Sequence, residues 1–437
     1  MTLNPQQRKS VKKITGPCLI FAGPGTGKTF TIVEKIKYLI ENEDKKYLPE
    51  EILVLTFSVE SANKLSDEIS KKVTHADLVT VKTFHGFCAD ILREQGKKIG
   101  IDPGFDILEP DDMKVFLHKS LDISPYYAGW YASSMSTAKD LSISFEEIRD
   151  YTKKLKEKLS DYSSDLDNIE EFAESQEIEL KTLHLEPSGT KEERKETRRR
   201  KKEIKEFLND YHKYRRYQDL VDAWRAYIKL KREKNLMDFS DLNLFALKYF
   251  RKFGSKEYMK RYKYLLVDEF QDTNKVQFEL IKNLSIGHKN ITIVGDQNQS
   301  IYGFRGAYRE NLKKFKDVFD VGEKDTFNLD KSYRSSNRIL RTAHKLILNN
   351  FDDPEECVEI SNIEDIEGET VKIIETKNKD EEARKVAELV EKELEKGIKP
   401  EEICVLYRTH NQGAVIKQAF DSKDIPIVTS GSGDLLN

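Results

Sequence analysis

The chain has 437 residues, of which 38% are hydrophobic and 35% are charged, with 74 Lys and Arg against 77 Asp and Glu. That length allows about three domains, and the composition is that of a globular protein with a heavily charged surface. The formal net charge of −3 excludes a strongly basic protein, so any nucleic acid would have to bind through a local groove and base stacking.

The sequence lacks the features of membrane and secreted proteins. No stretch approaches the ~18 consecutive apolar residues of a membrane span, and residues 1–13 have no apolar core typical of a signal peptide. The cysteines at positions 18, 88, 357 and 404 form neither a CxxC pair nor a metal-ligand spacing, which is typical of buried thiols. We therefore predict a cytoplasmic protein without a disulfide framework or an iron–sulfur cluster.

The N-terminal part of the chain alternates apolar runs with helical patterns. Residues 18–23, 52–57 and 79–84 are predicted to be short buried strands, each followed by a helix-like stretch. This alternation predicts βα units and a parallel sheet. From about 105 to 232 strand signals disappear and charged helical patterns dominate. That change predicts an all-helical insertion, with a loop at 186–190.

Strand patterns return after the predicted insertion. Residues 264–270 and 291–296 have the pattern of buried strands that end in acidic residues. A third α/β region begins near 336, where two predicted strands, 371–376 and 402–408, lie on either side of a predicted helix at 380–397. The order of these elements predicts a parallel sheet interrupted by helices, followed by a further α/β region.

A glycine-rich segment follows the first predicted strand and precedes a predicted helix. It consists of Ala22, Gly23, Pro24, Gly25, Thr26, Gly27, Lys28 and Thr29. Glycines let backbone N–H groups point at phosphate oxygens, and the helix N-terminus adds a positive dipole. Lys28 can reach the β- and γ-phosphates, and the Thr29 hydroxyl can ligate Mg²⁺. The strict pattern begins with Gly where Ala22 stands, a small change. The context favours a phosphate-binding loop for ATP over a chance glycine turn.

A pair of acidic residues ends the strand predicted at 264–270. Asp268 is expected to hold Mg²⁺, and Glu269 to activate the attacking water. Alone, this pattern fits solvated acids at a strand end equally well. Its combination with the phosphate-binding loop favours a Walker B site.

Seven ordered motifs extend this pair and make the chain resemble superfamily 1 DNA helicases of the UvrD/Rep/PcrA type. Residues 267–273 read VDEFQDT around the acidic pair. The other motifs, in the family's order, are the Q motif at 3–7, motif Ia at 55–58, motif Ib at 83–86, the short motif ahead of Walker B at 237–242, motif III at 295–307, motif IV at 329–335 and the following family strand at 405–408. The motif III segment, GDQNQSIYGFRGA, is the most specific of them.

The resemblance implies an α/β fold: a P-loop NTPase (RecA-like) parallel sheet with an all-helical insertion and part of a second RecA-like domain. Domain 1A would comprise 1–104 and 233–335, the insertion 1B 105–232, and the first half of domain 2A 336–437. In the resembling family an inserted 2B domain follows at about this point, and motifs V and VI come later. We therefore expect a fragment whose motor is incomplete.

The resemblance also implies roles at the nucleotide. Gln7 would read adenine, and Tyr333 would stack on it. Gln299 would sense the γ-phosphate, and Arg334 would reach it from the second motor domain and stabilise charge in the transition state, as an arginine finger does. The expected catalytic residues are Lys28, Glu269, Gln299 and Arg334.

A second set of residues is implied to bind DNA. It consists of Phe57, His85, Tyr302, Phe304 and Arg305. Base stacking on aromatic side chains tolerates any sequence, although an isolated aromatic is more often a core residue and an isolated histidine more often structural. Val59 and Glu60 stand where the family usually has Asn-Lys, which removes one basic contact to the DNA backbone.

A basic run occupies residues 191–205, with nine Lys and Arg against four Glu. It is either a solvated helix face with i,i+4 Glu–Lys pairs or a contact to duplex or single-stranded DNA.

The function implied by the resemblance is ATP-driven movement on single-stranded DNA and at duplex junctions, in the 3′→5′ direction, in DNA repair or replication. The alternatives are a nucleotide- and DNA-binding module without unwinding activity and the motor subunit of a helicase–nuclease complex.

Overall fold

The computed structural model describes residues 2–43, 47–185, 190–301, 310–351 and 357–429, without the side chains of 184 and 185. The chain divides into two compact units, Met1–Glu367 and Gly368–Asn437. No helix among the described residues is long and apolar enough to cross a membrane. Three of the cysteines are buried as predicted, whereas Cys404 is exposed.

The strands of the described chain are, in order, β1 (Pro17–Ala22), β2 (Ile52–Thr56), β3 (Thr80–Thr83), β4 (Asp106–Leu108), β5 (Leu236–Asp238), β6 (Tyr264–Val267), β7 (Ile291–Gly295), β8 (Thr326–Leu329), β9 (Lys331–Ser332) and β10 (Ser361–Asn362).

The helices are α1 (Pro5–Lys12), α2 (Lys28–Glu41), α3 (Val59–Ser70), α4 (Phe84–Gln95), α5 (Pro110–Leu121), α6 (Pro125–Asp140), α7 (Phe145–Lys158), α8 (Ile169–Leu185), α9 (Lys191–Glu233), α10 (Phe239–Phe253), α11 (Lys256–Arg261), α12 (Lys275–Ser285), α13 (Asn311–Phe319), α14 (Asn337–Ile347), α15 (Lys379–Glu395) and α16 (His410–Asp421).

The larger unit is built on a six-stranded sheet in the order β3-β2-β6-β7-β1-β8, and every pairing in it is parallel. All residues of β2 and β6 are buried, because helices cover both faces of such a sheet. In β1, Leu19 packs into the core on one face, and Cys18 and Ile20 pack into the core on the other. The predicted α/β fold with a parallel sheet is confirmed.

Two predicted strands end earlier than expected. The pattern at 264–270 becomes β6, which ends at Val267, and the pattern at 291–296 becomes β7, which ends at Gly295. The chain turns after Asp268, where Glu269 has a positive φ of 51°. The acidic residues therefore lie just beyond the sheet, at the carboxyl ends of its strands.

Helices α5–α9 form the predicted insertion around two apolar clusters of their own. One cluster contains Trp224 and Tyr227, and the other contains Phe207 and Tyr211, all from the long helix α9. The prediction that strands are absent here is wrong at β4, which pairs in parallel with β5. This three-residue ladder satisfies backbone groups where the chain passes into and out of the insertion. Most of the loop predicted at 186–190 lies outside the described residues.

The smaller unit packs α15 against α16 through side chains such as Ala387, Val390 and Phe420. The strands predicted at 371–376 and 402–408 are wrong for the described structure, which assigns neither segment to a ladder. Ile373 and Leu406 are 92% and 90% exposed. An apolar run becomes a strand only where a neighbouring strand accepts and donates its backbone hydrogen bonds, and no described segment does so here.

Candidate nucleotide site

The phosphate-binding loop connects β1 to α2 and depends on two glycines. Gly25 and Gly27 have φ angles of +74° and +83°, in the left-handed region that favours glycine. Space is also limiting: a Cβ on Gly25 would lie 2.6 Å from the Arg334 Cβ, and one on Gly27 would lie 2.9 Å from the Gln7 side-chain nitrogen. The predicted loop therefore packs directly against the Q motif and motif IV.

Helix α2 begins at Lys28 without a side-chain cap among the described residues. The first turn of a helix leaves N–H groups without intrahelical partners, and these groups with the helix dipole attract anions. Within the loop, the Thr26 hydroxyl donates to the Gly23 carbonyl at 2.8 Å. The Thr26 N–H donates to the same carbonyl at 3.3 Å. These two bonds hold the loop curled in front of the helix.

Lys28 and Glu269 form an ion pair in the cleft. The Lys28 Nζ lies 2.8 Å from each carboxylate oxygen of Glu269. Glu269 reaches this position with a φ of +51°, a backbone conformation that costs a non-glycine residue about 1–2 kcal/mol. A strained backbone that places a carboxylate against the lysine of the loop is the arrangement expected of a functional residue.

Asp268 is buried at the end of β6. Its N–H donates to the Leu55 carbonyl at 2.9 Å, and its carboxylate accepts the N–H of Glu269 at 3.0 Å. Burial, with a smaller effect from Glu269, raises the pKa of Asp268 to about 6. Burial and the same glutamate raise the pKa of Asp272 to about 6 as well. Among the described residues, Asp268 forms no ion pair.

Thr29 and Asp268 suit a magnesium ion. Thr29, in the first turn of α2, and Asp268 both line the cleft. A hydroxyl and a carboxylate are oxygen ligands of the kind that Mg²⁺ prefers. A divalent cation would also offset the cost of burying the Asp268 carboxylate.

A chain of hydrogen bonds links Glu269 to Gln299. The Gln271 amide nitrogen donates to Glu269 at 2.8 Å, and its oxygen accepts the N–H of Asp296 at 3.0 Å. The Asp296 carboxylate then accepts the Gln299 side-chain N–H at 2.7 Å. Gly295 leaves room for this link, because a Cβ there would lie 2.6 Å from the Gln271 oxygen. Sequence reasoning named neither Gln271 nor Asp296 as a site residue, although both lie inside the quoted motifs.

The Q motif and Tyr333 meet beside the loop. The Gln7 amide nitrogen donates to the Thr26 carbonyl at 3.1 Å, and the Tyr333 hydroxyl accepts a hydrogen bond from the Asn4 side chain at 3.2 Å. The Tyr333 N–H donates to the Gly25 carbonyl at 2.8 Å. The two residues expected to contact adenine therefore lie together on one side of the phosphate-binding loop.

Arg334 faces the same cleft. The Ser332 hydroxyl donates to the Pro24 carbonyl at 3.3 Å and accepts the N–H of Arg334 at 3.3 Å. These bonds hold the motif IV segment against the loop. The Arg334 side chain forms no ion pair within the described part of the chain, so its charge is available to an anion in the cleft.

These residues enclose a cleft of about 620 Å³, a size that suits a nucleotide. Helix α3 and the turn that follows it contribute a wall that sequence reasoning missed. The additional lining residues are Ser61, Lys64, Leu65, Glu68 and Lys72. Lys72 pairs with Glu34 at 2.9 Å and lies 4.3 Å from the centre of the Phe30 ring. Lys72 and Phe30 both line the cleft, and no sequence motif marked them.

The residues expected to bind DNA are less completely described. The His85 and Phe239 rings lie 4.9 Å apart, and burial lowers the pKa of His85 to about 4, so the ring is neutral at pH 7. Phe57 is half-buried just beyond β2. Tyr302, Phe304 and Arg305 lie outside the described residues. Their roles in DNA binding stay predictions.

Comparison with known proteins agrees with this architecture. Residues 3–320 match the UvrD/REP helicase N-terminal domain, and residues 327–437 match the UvrD-like helicase C-terminal domain. Two similar curated proteins are the ATP-dependent DNA helicases PcrA of Staphylococcus aureus and Staphylococcus epidermidis, each 29% identical to this chain. Each alignment covers 98% of this chain and 51% of the relative. The chain thus spans about half the length of these relatives, and it belongs to the UvrD/REP helicase family.

Proposed function

We propose that this chain carries the ATP-hydrolysing site of a motor that moves on single-stranded DNA, in the 3′→5′ direction by family resemblance and in the service of DNA repair or replication. The observation that carries the proposal is the pairing of Lys28 with Glu269 at the phosphate-binding loop. The hydrogen-bond chain from Glu269 to Gln299 supports coupling of that site to motif III.

The ion pair suggests how hydrolysis depends on the nucleotide. The Lys28 ammonium is hydrogen-bonded to both carboxylate oxygens of Glu269, so this carboxylate is already engaged before ATP binds. The phosphates of ATP would draw the Lys28 ammonium toward the loop and away from Glu269. The freed Glu269 carboxylate could then accept a proton from the attacking water.

Magnesium would be held by the Thr29 hydroxyl and the Asp268 carboxylate, directly or through water. When bound, it supplies positive charge to the β- and γ-phosphate oxygens. Arg334 and Lys28 add two further cations at the cleft, and the backbone N–H groups of the loop add neutral donors. Each of these groups stabilises negative charge as it develops on the transferred phosphoryl group.

The chain from Glu269 to Gln299 is the proposed route from phosphate to DNA. Gln299 lines the cleft, and it is followed in sequence by the motif III residues expected to meet the bases. A change at the γ-phosphate that moves Glu269 would break or re-form the bonds through Gln271 and Asp296. Such a two-state hydrogen-bond link is a physical means of coupling two sites.

The test is steady-state ATP hydrolysis by the chain, with and without single-stranded DNA, beside a Glu269→Gln variant. We expect the variant to keep its affinity for MgATP and to lose turnover, because the amide cannot accept the proton. DNA-stimulated turnover in the unsubstituted chain that disappears in the variant would support the motor.

The same assay separates the motor from a simpler function. A chain that binds MgATP and single-stranded DNA but never hydrolyses ATP would be a nucleotide- and DNA-binding module. The length of the match to PcrA is the observation that keeps this second function open, because the chain spans about half of those relatives. Turnover that persists in Glu269→Gln would instead reject the assigned base.

A further inference from the structure

Two lysines and two aspartates form a buried group outside the nucleotide cleft. We call Lys139, Lys231, Asp238 and Asp241 the ion-pair cluster; their side chains are only 4–8% exposed. The Lys139 Nζ lies 2.6 Å from Asp238 and 2.7 Å from Asp241. The Lys231 Nζ lies 2.8 Å from Asp238 and also pairs with Asp241. Each lysine therefore bridges both aspartates.

The ion-pair cluster joins the helical insertion to the motor core. Lys139 comes from the end of α6 and Lys231 from the last turns of α9, both in the insertion. Asp238 ends β5 and caps α10, where the N–H of Asp241 donates to it at 3.0 Å. Removing the cluster would delete these ion pairs between the insertion and the start of α10.

The charges in the cluster are balanced and satisfied. Burial alone would raise the pKa of Asp238, but the two lysines hold it below its usual range. The Tyr227 hydroxyl donates to Asp238 at 3.0 Å, and the Lys231 ammonium lies 4.4 Å from the centre of the Tyr227 ring. A buried ion pair often adds less stability than apolar residues of the same size, yet loss of one partner strands a charge. A buried group of this kind favours one arrangement of the elements that it joins more than it adds to their stability.

The cluster lies where both connections between insertion and core meet. The chain enters the insertion next to β4 and leaves it through β5, and these strands pair with each other. The residue after Asp238 is Phe239, whose ring contacts His85. The ion-pair cluster thus lies beside both connections between insertion and core. It also lies near His85, which is expected near DNA.

We propose that the ion-pair cluster positions the helical insertion at one orientation on the motor core and that this orientation sets the affinity for single-stranded DNA. Its members are positioning residues that act through the surfaces they align. The DNA part of this inference rests on the proposed function; the orientation part does not.

The first test compares two lysine substitutions within the insertion. Lys231→Met removes a member of the cluster. Lys158→Met removes an ion pair with Asp210 at 2.7 Å, in which the lysine side chain is 53% exposed. We expect Lys231→Met to weaken binding to a fluorescent oligothymidylate about 2- to 30-fold with unchanged affinity for MgADP, and Lys158→Met to change neither. Equal DNA affinity in Lys231→Met and the unsubstituted chain would overturn the proposal.

The second test measures orientation directly, with a variant that keeps the shape of the site. Asp241→Asn removes one charge and retains side-chain volume, so it serves if Lys231→Met does not fold. Spin labels at positions 71 and 153, whose lysines are 65% and 66% exposed, report the distance between core and insertion. Cys404 is the exposed cysteine of the described chain and is replaced by Ser in the background.

We expect one narrow distance distribution in the labelled background and a broad or shifted one in Asp241→Asn. A lower melting temperature with an unchanged distribution would make the cluster a stabilising group only and would reject the inference. If the labelled background itself binds no DNA, the proposed function fails, and the distance measurement still decides whether the cluster orients the insertion.

Discussion

At the scale of single residues, Lys28 is the cation of the cleft on which we expect nucleotide binding to depend most. Lys28→Ala should abolish tight MgATP binding, because it removes the charge expected at the β- and γ-phosphates and leaves Glu269 free to repel them. Calorimetric titration with a non-hydrolysable ATP analogue measures the affinity. Lys37→Ala, on the exposed side of α2 with 41% of the lysine side chain exposed, is the control. Unchanged affinity in Lys28→Ala would sink the phosphate-loop assignment.

Gln271 is the central residue of the link between Glu269 and Asp296. Gln271→Ala should leave MgATP affinity unchanged and reduce the stimulation of ATP hydrolysis by DNA about 2- to 30-fold, because it deletes both bonds of the link. The measurement is the ratio of turnover with DNA to turnover without it. Gln95→Ala, at the half-buried C-terminal end of α4 and outside the cleft, is the matched control. If the ratio is the same in both variants, the link does not carry the coupling.

His85 should make stability depend on pH. Its pKa falls from 6.5 to about 4 on folding, so the unfolded chain binds the proton more readily. The contribution of neutral His85 to the free energy of unfolding is therefore fully present above about pH 6.5 and is lost as the pH falls toward 4. The free energy of unfolding from urea titrations should fall less between pH 7.5 and 5 in His85→Asn than in the unsubstituted chain. Equal pH dependence would mean that His85 titrates normally.

At the scale of elements, the sequence pattern predicts features formed by neighbouring residues and misses contacts between segments that are distant in sequence. The phosphate-binding loop is recognisable because its glycines serve a conformation defined within a few residues. The bond between Gln271 and Asp296 spans 25 positions and becomes visible only when β6 and β7 lie side by side. The strands predicted at 371–376 and 402–408 fail for a related reason: an apolar run specifies a buried face, but a ladder needs a partner.

Helix α9 carries a segregated charge distribution in its first turns. At 3.6 residues per turn, Arg194, Arg198, Lys201 and Lys205 fall on one face. The glutamates of the run, at 192, 193, 196 and 203, fall elsewhere. Arg199 pairs with Glu203 at 3.0 Å and Arg200 with Glu179 at 2.6 Å. The four cations of the shared face form no ion pair within the described chain, so i,i+4 pairing accounts for only part of the basic run.

This face should contact the backbone of duplex DNA. Replacing the four cations, Arg194, Arg198, Lys201 and Lys205, by Ala should lower duplex affinity and flatten the dependence of log K on log salt. The slope changes by about 0.9 for each phosphate that is no longer neutralised, or about 3.6 for all four. Fluorescence anisotropy over a salt series measures it. The control replaces Arg199 and Lys202 by Ala. Each of these two residues forms an ion pair with a glutamate of α9. If the slope of log K against log salt is unchanged in the fourfold variant, the face is solvated and does not contact DNA.

At the scale of the whole molecule, a net charge of −3 coexists with concentrated positive charge where anions are expected. The carboxyl ends of β1, β6 and β7 gather the loop, the acidic pair and the start of motif III at one edge of a parallel sheet, the usual place for a ligand in such sheets. The described residues of the cleft all belong to the unit Met1–Glu367. We therefore expect nucleotide binding to be a property of that unit, and its effects to be measurable there.

The two tryptophans, Trp130 and Trp224, both lie in the helical insertion, so their fluorescence reports the unfolding of a part that does not line the nucleotide cleft. If the ion-pair cluster makes insertion and core one cooperative body, MgADP at 100 times its dissociation constant should raise the free energy of the tryptophan-monitored transition by about 2.7 kcal/mol. Lys28→Ala should abolish the shift, and Asp241→Asn should reduce it while binding persists. The opposite result is a tryptophan-monitored transition that MgADP does not shift, while circular dichroism shows a stabilised core. That result would show that the insertion unfolds on its own.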